Sequence, residues 1–418
     1  MNIAYCSVLL PENKDFLSKT KYKIPGVAGH KFSTAFMQGI EENLDISDNL
    51  KIFGITNLIN FPKFPKLFFK KEKWSHNNIN EDIYIGYINF FGIKYKTQTH
   101  NLYKELKKWV NNLGNEKGII CVYNNFYPIM KAALKIKKEF GNQIQLCLIT
   151  GDMVAKYNLQ SQHKKNIKQK MIDSLENKIF NMVKDFDCFV FATEAMAKAY
   201  GVEHKPNVVV ECVYLENENY KKKQLNKDIK NNNKIIFYAG AVRSEYGLEH
   251  LLNAFSLIKK ENYELWIAGG GNCEELVKQR TSLDSRIKFY GFITPEKVEE
   301  LSNKASVLIN PRIATGNEYV KYSFPSKTME GLASGKPFIA HDLPCYPDEY
   351  RKYIQIPNNE SDQSLSEKII EICELSEEER DKIALKARQF VLNEKNPKVM
   401  GVKVINMLKE DLLYEKKN

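Results

Sequence analysis

Short β-branched and aromatic runs alternate with helical patterns from the start of the chain. Segment 3–9 reads as a strand, and 31–44 carries apolar positions at helical spacing. The order recurs at 119–123 followed by 127–140, at 145–150, at 188–192 followed by 194–200, and at 207–213. Strands that return through crossover helices pair in parallel, so the alternation predicts a sheet wrapped by helices. After a polar stretch it restarts. Strands are expected at 235–239, 264–268, 286–290, 307–310 and 337–340, with helices opening at Leu248, Glu274, Pro295 and Pro325. From Ser376 onward the chain reads as two amphipathic, charged helices.

The polar stretch 216–234 has only Leu225 and Ile229 as aliphatic residues, too few to fold compactly. It predicts an α/β domain at 1–215, a linker at 216–234, a second α/β domain at 235–395, and a helix at 396–418 that braces the two. A hydrophobic share of 43% and a charged share of 27% are those of a globular chain. The first ten residues lack the basic start, apolar middle and cleavage site of a signal peptide. No apolar run approaches the ~18 residues of a membrane helix, so a cytoplasmic location is expected. Eight cysteines stand singly, with no C-x-x-C pair, and read as reduced core thiols rather than a zinc site. The formal charge of +11 favours anionic partners without choosing between nucleic acid, lipid and phosphorylated small molecules.

Glycines mark three strand exits of the second half, at Gly240, at Gly269-Gly270-Gly271 and at Gly291, where parallel sheets bind ligands. The most informative segment is 323–337, SFPSKTMEGLASGKP. Ser323 is a good N-cap, Pro325 suits a first helical turn, and Gly335-Lys336-Pro337 is a stop signal, which predicts a helix over 325–334. Its first amides, on Ser326, Lys327 and Thr328, suit a diphosphate, with Lys327 or the hydroxyls adding a contact. Glu330, about a turn further on, can accept hydrogen bonds from two vicinal hydroxyls, as on a ribose. The alternative is an ordinary capped helix in which Glu330 only stabilises the dipole.

In the first half, Gly26 and Gly29 lie between the first strand and first helix, where backbone can approach a phosphate or acceptor. Asp185-Phe186-Asp187 has the form of a metal-binding D-x-D, but it enters a strand rather than leaving one, so no metal is expected there. Segment 61–74 interleaves Phe61, Phe64, Phe68, Phe69 and Trp74 with Lys63, Lys66, Lys70, Lys71 and Lys73, the composition of an interfacial membrane segment or of a surface loop with half-buried rings. Such a mixture also suits single-stranded nucleic acid, but no nucleic-acid module accompanies it, and none is expected as a partner.

Several segments together resemble glycosyltransferase family 4, in the right order. They are Phe237-Tyr238-Ala239-Gly240 leading to Tyr246-Gly247-Leu248-Glu249-His250-Leu251-Leu252-Asn253-Ala254-Phe255; Leu265-Trp266-Ile267-Ala268-Gly269-Gly270-Gly271; Ile287-Lys288-Phe289-Tyr290-Gly291-Phe292; Val307-Leu308-Ile309-Asn310-Pro311; and Glu330-Gly331-Leu332-Ala333-Ser334-Gly335-Lys336-Pro337. The resemblance implies the GT-B architecture: two facing Rossmann-like domains with a donor-binding cleft between them. It also implies retaining transfer of a sugar from a nucleoside diphosphate sugar to a hydroxyl, the leaving phosphate taking the acceptor proton. Arg243, Lys327 and Glu330 are then the catalytic candidates. Gly240, Gly291, Phe292, Tyr322, Ser323, Phe324, Pro325, Ser326 and Thr328 would line the donor, and Gly26, Gly29 and Asp152 the acceptor or a phosphate. No metal or other cofactor is implied, and the acceptor is a glycan or a lipid-linked glycan, with segment 61–74 touching anionic membrane.

The chain departs from the family pattern in three places. Tyr322 stands eight residues before Glu330, where the family has its first glutamate. Ala241 and Tyr246 stand where the family has an arginine and a lysine for the diphosphate, which makes Arg243 the replacement candidate. Asp152 follows Gly151 where a histidine is usual. These losses keep open a noncatalytic partner subunit on the same fold, or another GT-B enzyme such as an epimerase or phosphorylase.

Overall fold

A computed structural model describes residues 1–9, 27–154, 167–216 and 233–414. It divides into two units, Met1–Leu215 with Pro397–Asn418, and Glu216–Asn396. The expected linker lies outside the described residues except at its ends, and so does Gly26.

The first unit is an eight-stranded sheet. Its strands are β1 (Asn2–Ser7), β2 (Asn49–Gly54), β4 (Glu72–Trp74), β5 (Asp82–Tyr84), β7 (Gly118–Tyr123), β8 (Ile144–Thr150), β9 (Cys188–Phe191) and β10 (Asn207–Val209), in the order β10-β9-β8-β7-β1-β2-β5-β4. All pairs are parallel except β4 with β5. Every residue of β7 and β8 is buried, as expected of central parallel strands covered on both faces. The helices are α1 (Val27–Glu41), α2 (Lys94–Asn112), α3 (Tyr127–Phe140), α4 (Ile167–Val183) and α5 (Glu194–Tyr200). Helix α1 begins four residues before the expected Lys31, so Gly29 is helical rather than part of a loop.

No element was expected between 45 and 118, yet β2, β4, β5 and α2 lie there, with a small ribbon of β3 (Phe68–Phe69) against β6 (Tyr87–Ile88). The aromatic segment is thereby sorted into two faces. Phe64 and Phe69 are buried, Phe69 stacking on Tyr87 with ring centroids 4.6 Å apart, while Phe61 and Phe68 stay exposed.

In the second unit β11 (Lys234–Ala239), β12 (Tyr263–Ala268), β13 (Ile287–Gly291), β14 (Val307–Asn310) and β15 (Phe338–Ala340) form a parallel sheet in the order β13-β12-β11-β14-β15. Its helices are α6 (Leu248–Leu257), α7 (Glu274–Leu283), α8 (Pro295–Lys304), α9 (Ser326–Ala333), α10 (Asp348–Arg351), α11 (Asp362–Glu374) and α12 (Glu377–Glu394). Strand order reverses between β11 and β14, and such a switch point opens a crevice at the carboxyl ends of the strands. Ser376 caps α12 in a reciprocal capping box with Glu379. The last helix, α13 (Pro397–Tyr414), belongs with the first unit, where Asn43 donates to the carbonyls of Gly39 and Lys398 and ties α1 to it. All eight cysteines are buried and none forms a disulfide. Among the described residues no helix is long and apolar enough to cross a membrane.

One polar cluster fixes the β4–β5 edge. Asp82 is fully buried and accepts from the amides of Ile52 and His76, each at 2.8 Å. The His76 ring lies between Asp82 at 2.6 Å and Glu41 at 2.9 Å. Burial alone would push the imidazole down, but the two carboxylates outweigh it and raise His76 to about 9. A folded-state value above the unfolded one of about 6.5 gives stability that is complete below that pH and is lost as pH rises through about 9. The gap in urea midpoint between the parent and His76→Gln is therefore expected to be widest near pH 6 and to narrow toward pH 10. A gap independent of pH would show the ring to be neutral in the folded protein.

Candidate functional site

The carboxyl ends of β11, β12 and β14 are joined by backbone contacts that exclude side chains. Gly247 has φ +79°, and a Cβ there would lie 2.1 Å from the Pro311 carbonyl oxygen. Gly269 has φ +136°, and its Cβ would lie 1.7 Å from the Gly240 carbonyl oxygen. Only glycine fits either position. The Gly269 amide donates to the Gly291 carbonyl at 2.7 Å, so the exits of β11, β12 and β13 form one rim. The loop after β14 joins it: Asn317 donates to the Glu245 carbonyl at 3.2 Å, and Glu360 accepts from the amides of Ala314 and Thr315 at 2.6 and 3.0 Å.

Helix α9 has two faces. Thr328, Met329, Leu332 and Ala333 are buried, and Gly331 lies so close to the Phe338 ring that a Cβ would meet it at 2.3 Å. The opposite face carries Lys327 and Glu330, both exposed, with Lys327 Nζ 2.5 Å from the Glu330 carboxylate. The Arg388 guanidinium caps the other end of the helix, donating to the Ala333 carbonyl at 2.5 Å. An exposed carboxylate beside an ammonium, one turn from a helix N-terminus, can hold hydroxyls and an anion together.

Three sequence expectations change here. The N-cap is Pro325 and no side chain caps the helix, so Ser323 does not play that part; it is buried before the helix begins. Thr328 is fully buried, its amide taken by the Pro325 carbonyl at 2.8 Å and its hydroxyl 2.9 Å from that of Tyr346. Phe324 is buried against Tyr346 and Tyr350, at 5.7 and 5.2 Å between ring centroids. Packing thus commits the side chains of Thr328 and Phe324 to the core, and of the three amides expected to suit a diphosphate that of Thr328 is taken, leaving those of Ser326 and Lys327.

Of the other candidates, Arg243 is exposed and paired with Glu245 at 3.1 Å, at the start of the turn Ser244–Tyr246. Gly240 is packed over the Tyr238 hydroxyl, which donates to Ala241. Gly291 ends β13 at φ +61°, and the Phe292 ring beyond it is exposed. Tyr322 is half-buried and closes the turn Glu318–Lys321. In the first unit Asp152 is exposed at the end of β8, its carbonyl accepting from Thr150 at 2.9 Å and from Asn125 at 2.8 Å. Asp187 of the D-x-D accepts from the Leu146 amide at 2.7 Å and pairs with Lys137 at 2.9 Å, a strap between β8 and β9.

Two features of the second unit are given no role by the sequence. Arg312 is buried just beyond β14. His250 stands 2.5 Å from Asp362 and 2.9 Å from His341, and burial followed by the charge of His250 lowers His341 to about 4, which keeps it neutral.

Residues 219–390 match the family described as glycosyl transferases group 1. Over those residues the chain is similar to group 1 glycosyl transferases, and it has the GT-B fold. No curated relative matches the chain in sequence. Solved structures match along nearly the whole length. The sucrose-phosphate synthase of Thermosynechococcus elongatus superposes with a TM-score of 0.65 at 15% identity, covering 99% of both chains. The trehalose-6-phosphate structure from E. coli bound with UDP-2-fluoro glucose gives 0.63 at 10% identity, over 98% of this chain and 99% of that one. Anabaena HepE in complex with UDP gives 0.56 at 12% identity, over 98% and 100%. Identities this low establish the shared fold alone. The group 1 match spans the rim and α9, the region in which Lys327 and Glu330 emerge.

Glu330→Gln is expected to weaken nucleoside diphosphate binding about tenfold while moving Tm by less than about 2 °C, because an exposed ion pair adds little to stability. Calorimetric titration and thermal unfolding check this. Equal affinity in parent and variant would remove Glu330 from the site.

Proposed function

We propose that this glycosyltransferase moves a sugar from a nucleoside diphosphate sugar to a hydroxyl on a glycan or lipid-linked glycan, with retention, in cell-surface polysaccharide or glycoconjugate assembly. The observation that carries the reading is the Lys327–Glu330 pair, exposed on the outer face of α9 inside the group 1 match. The amides of Ser326 and Lys327 face the diphosphate, Glu330 takes the ribose hydroxyls, and Phe292 lies by the base. Retention rests on the family 4 resemblance, and a nucleotide-sugar donor is supported by neighbours bound with UDP and UDP-2-fluoro glucose. Positioning and fixed positive charge then supply the catalysis, and turnover needs no divalent ion.

Thermal-shift screening with UDP, GDP and ADP, followed by donor hydrolysis assays with several sugars, tests the reading. Binding with hydrolysis that survives a chelator is expected. Hydrolysis abolished by chelator and restored by manganese or magnesium would overturn the metal-free mechanism. Binding without turnover for any sugar would instead favour a noncatalytic partner, as the replacement of the family glutamate by Tyr322 allows.

The acceptor side is proposed to work at the cytoplasmic face of a membrane. Exposed Phe61 and Phe68 lie among the exposed Lys63, Lys66, Lys70, Lys71 and Lys73. A bridge between Phe61 and Phe90 brings in exposed Phe90, Phe91 and Ile93, which precede α2. Rings insert at the interface, and each lysine contributes about 1 kcal/mol against anionic headgroups. Vesicles containing anionic lipid should bind the protein less as salt rises, and replacing Lys66, Lys70 and Lys71 by Ser, or Phe68 and Phe91 by Ser, should weaken that binding with nucleotide affinity unchanged. A parent protein that ignores anionic vesicles at low salt would make these residues an ordinary surface.

A further inference from the structure

Arg312 follows β14 by two residues and is 4% exposed. Its guanidinium lies over the rings of Tyr246 and Tyr319, at 5.2 and 5.9 Å. Among the described residues no carboxylate pairs with it and its side chain donates no hydrogen bond; Nε is buried without a partner. Other buried cations of the second unit are treated differently. Arg388 pairs with Glu216 at 2.9 Å and Lys395 pairs with Glu349. The groups that feel the charge of Arg312 do not neutralise it: burial raises Tyr238, Tyr346 and Cys345, the last to about 12, so all three are uncharged at neutral pH. A guanidinium does not shed its proton to escape burial, and a buried charge without a counterion is costly.

Its position points to the missing counterion. The Arg312 amide lies 3.2 Å from where a Cβ on Gly247 would stand, so the residue sits on the rim at the switch point. Tyr246, the ring beneath the guanidinium, occupies the place of the lysine in the family 4 pattern, and Ala241 that of the arginine. Tyr346 feels the charge of Arg312 and bonds Thr328 in the first turn of α9, which puts the guanidinium on the side of the helix N-terminus. Arg243, the cation nearest in sequence to Ala241 and Tyr246, is exposed and already paired with Glu245.

We propose that Arg312 is the cation that receives the diphosphate of the donor, supplying from the β14 loop the charge absent at Ala241 and Tyr246. The inference rests on the reading of this unit as the donor site. A guanidinium presents a planar fork to two phosphate oxygens, and the rings of Tyr246 and Tyr319 hold that fork in one plane before the ligand arrives.

The test compares the parent, Arg312→Gln and Arg312→Lys for binding of UDP, GDP and ADP and of the matching nucleosides, with thermal unfolding of the ligand-free proteins. For the diphosphate that the parent binds, Arg312→Gln should lose affinity at least tenfold and Arg312→Lys several-fold, with nucleoside affinity unchanged. Ligand-free Tm of the Gln variant should stay level or rise, because an uncompensated buried charge has been removed. Parent-like diphosphate affinity in a folded Gln variant overturns the inference, and a lowered Tm with that affinity intact marks Arg312 as a packing residue. Should the Gln variant not fold, the Lys variant decides, and its full retention of diphosphate affinity overturns the inference. A parent that binds none of the three diphosphates removes the donor reading and this inference together. A parent that binds one, with variants indistinguishable from it, removes this inference alone.

Discussion

The second unit depends on how closely its strand exits approach one another. Gly247 against Pro311 and Gly269 against Gly240 are contacts between backbones, and each would be broken by a single methyl group. Once made, they leave the loops after β11, β12 and β14 little independent freedom, and the two amides bound by Glu360 hold the last of these in place. Burial pushes the Glu360 carboxyl up, but those hydrogen bonds outweigh it and keep the group below its ordinary range, charged and able to hold the loop at neutral pH. The Arg312 stack on Tyr246 follows from this closure, because the two residues belong to different loops that the glycine contact brings together.

Helix α9 is the second element positioned by a steric limit. Gly331 lets it lie against Phe338, and Thr328 and Met329 are anchored through the hydroxyls of Tyr346 and Tyr350. With one face committed to the core, a residue three positions after Lys327 must emerge beside it, which is why Glu330 and Lys327 form a pair. The Arg388 cap satisfies a carbonyl at the negative end of the helix and leaves the positive end to whatever binds there.

Strands β11, β12 and β14 were legible because they are largely buried apolar runs followed by glycine or proline, and the observed bounds of all five strands agree with the expected ones within two residues. The region 45–118 was not. Its strands β3 to β6 are two or three residues long, and α2 is a lysine-rich helix whose apolar stripe of Leu102, Leu106, Trp109 and Val110 is thin and whose start has no side-chain cap. In the site, Lys327 and Glu330 could be read from helical spacing, but the burial of Thr328 depends on Tyr346, eighteen residues further along. Arg312 could not be read at all. Whether an arginine beyond a strand is solvated, paired or buried alone is decided by loops distant in sequence, and only the last case carries the chemical meaning.

On the two proposals made above, the basic excess of the chain serves two physically different purposes. Lysines among Phe61, Phe68, Phe90 and Phe91 are exposed and screened by salt within about 10 Å. They suit a broad anionic surface that offers no fixed geometry. Arg312 lies over two rings, almost wholly buried and with no counterion among the described residues, and suits an anion with defined oxygen positions. Low dielectric strengthens its attraction for such an anion and also raises the cost of leaving it alone, so both effects favour occupancy. A sum of charges over the sequence treats these groups as equal, whereas burial makes the single arginine selective and leaves the many lysines permissive.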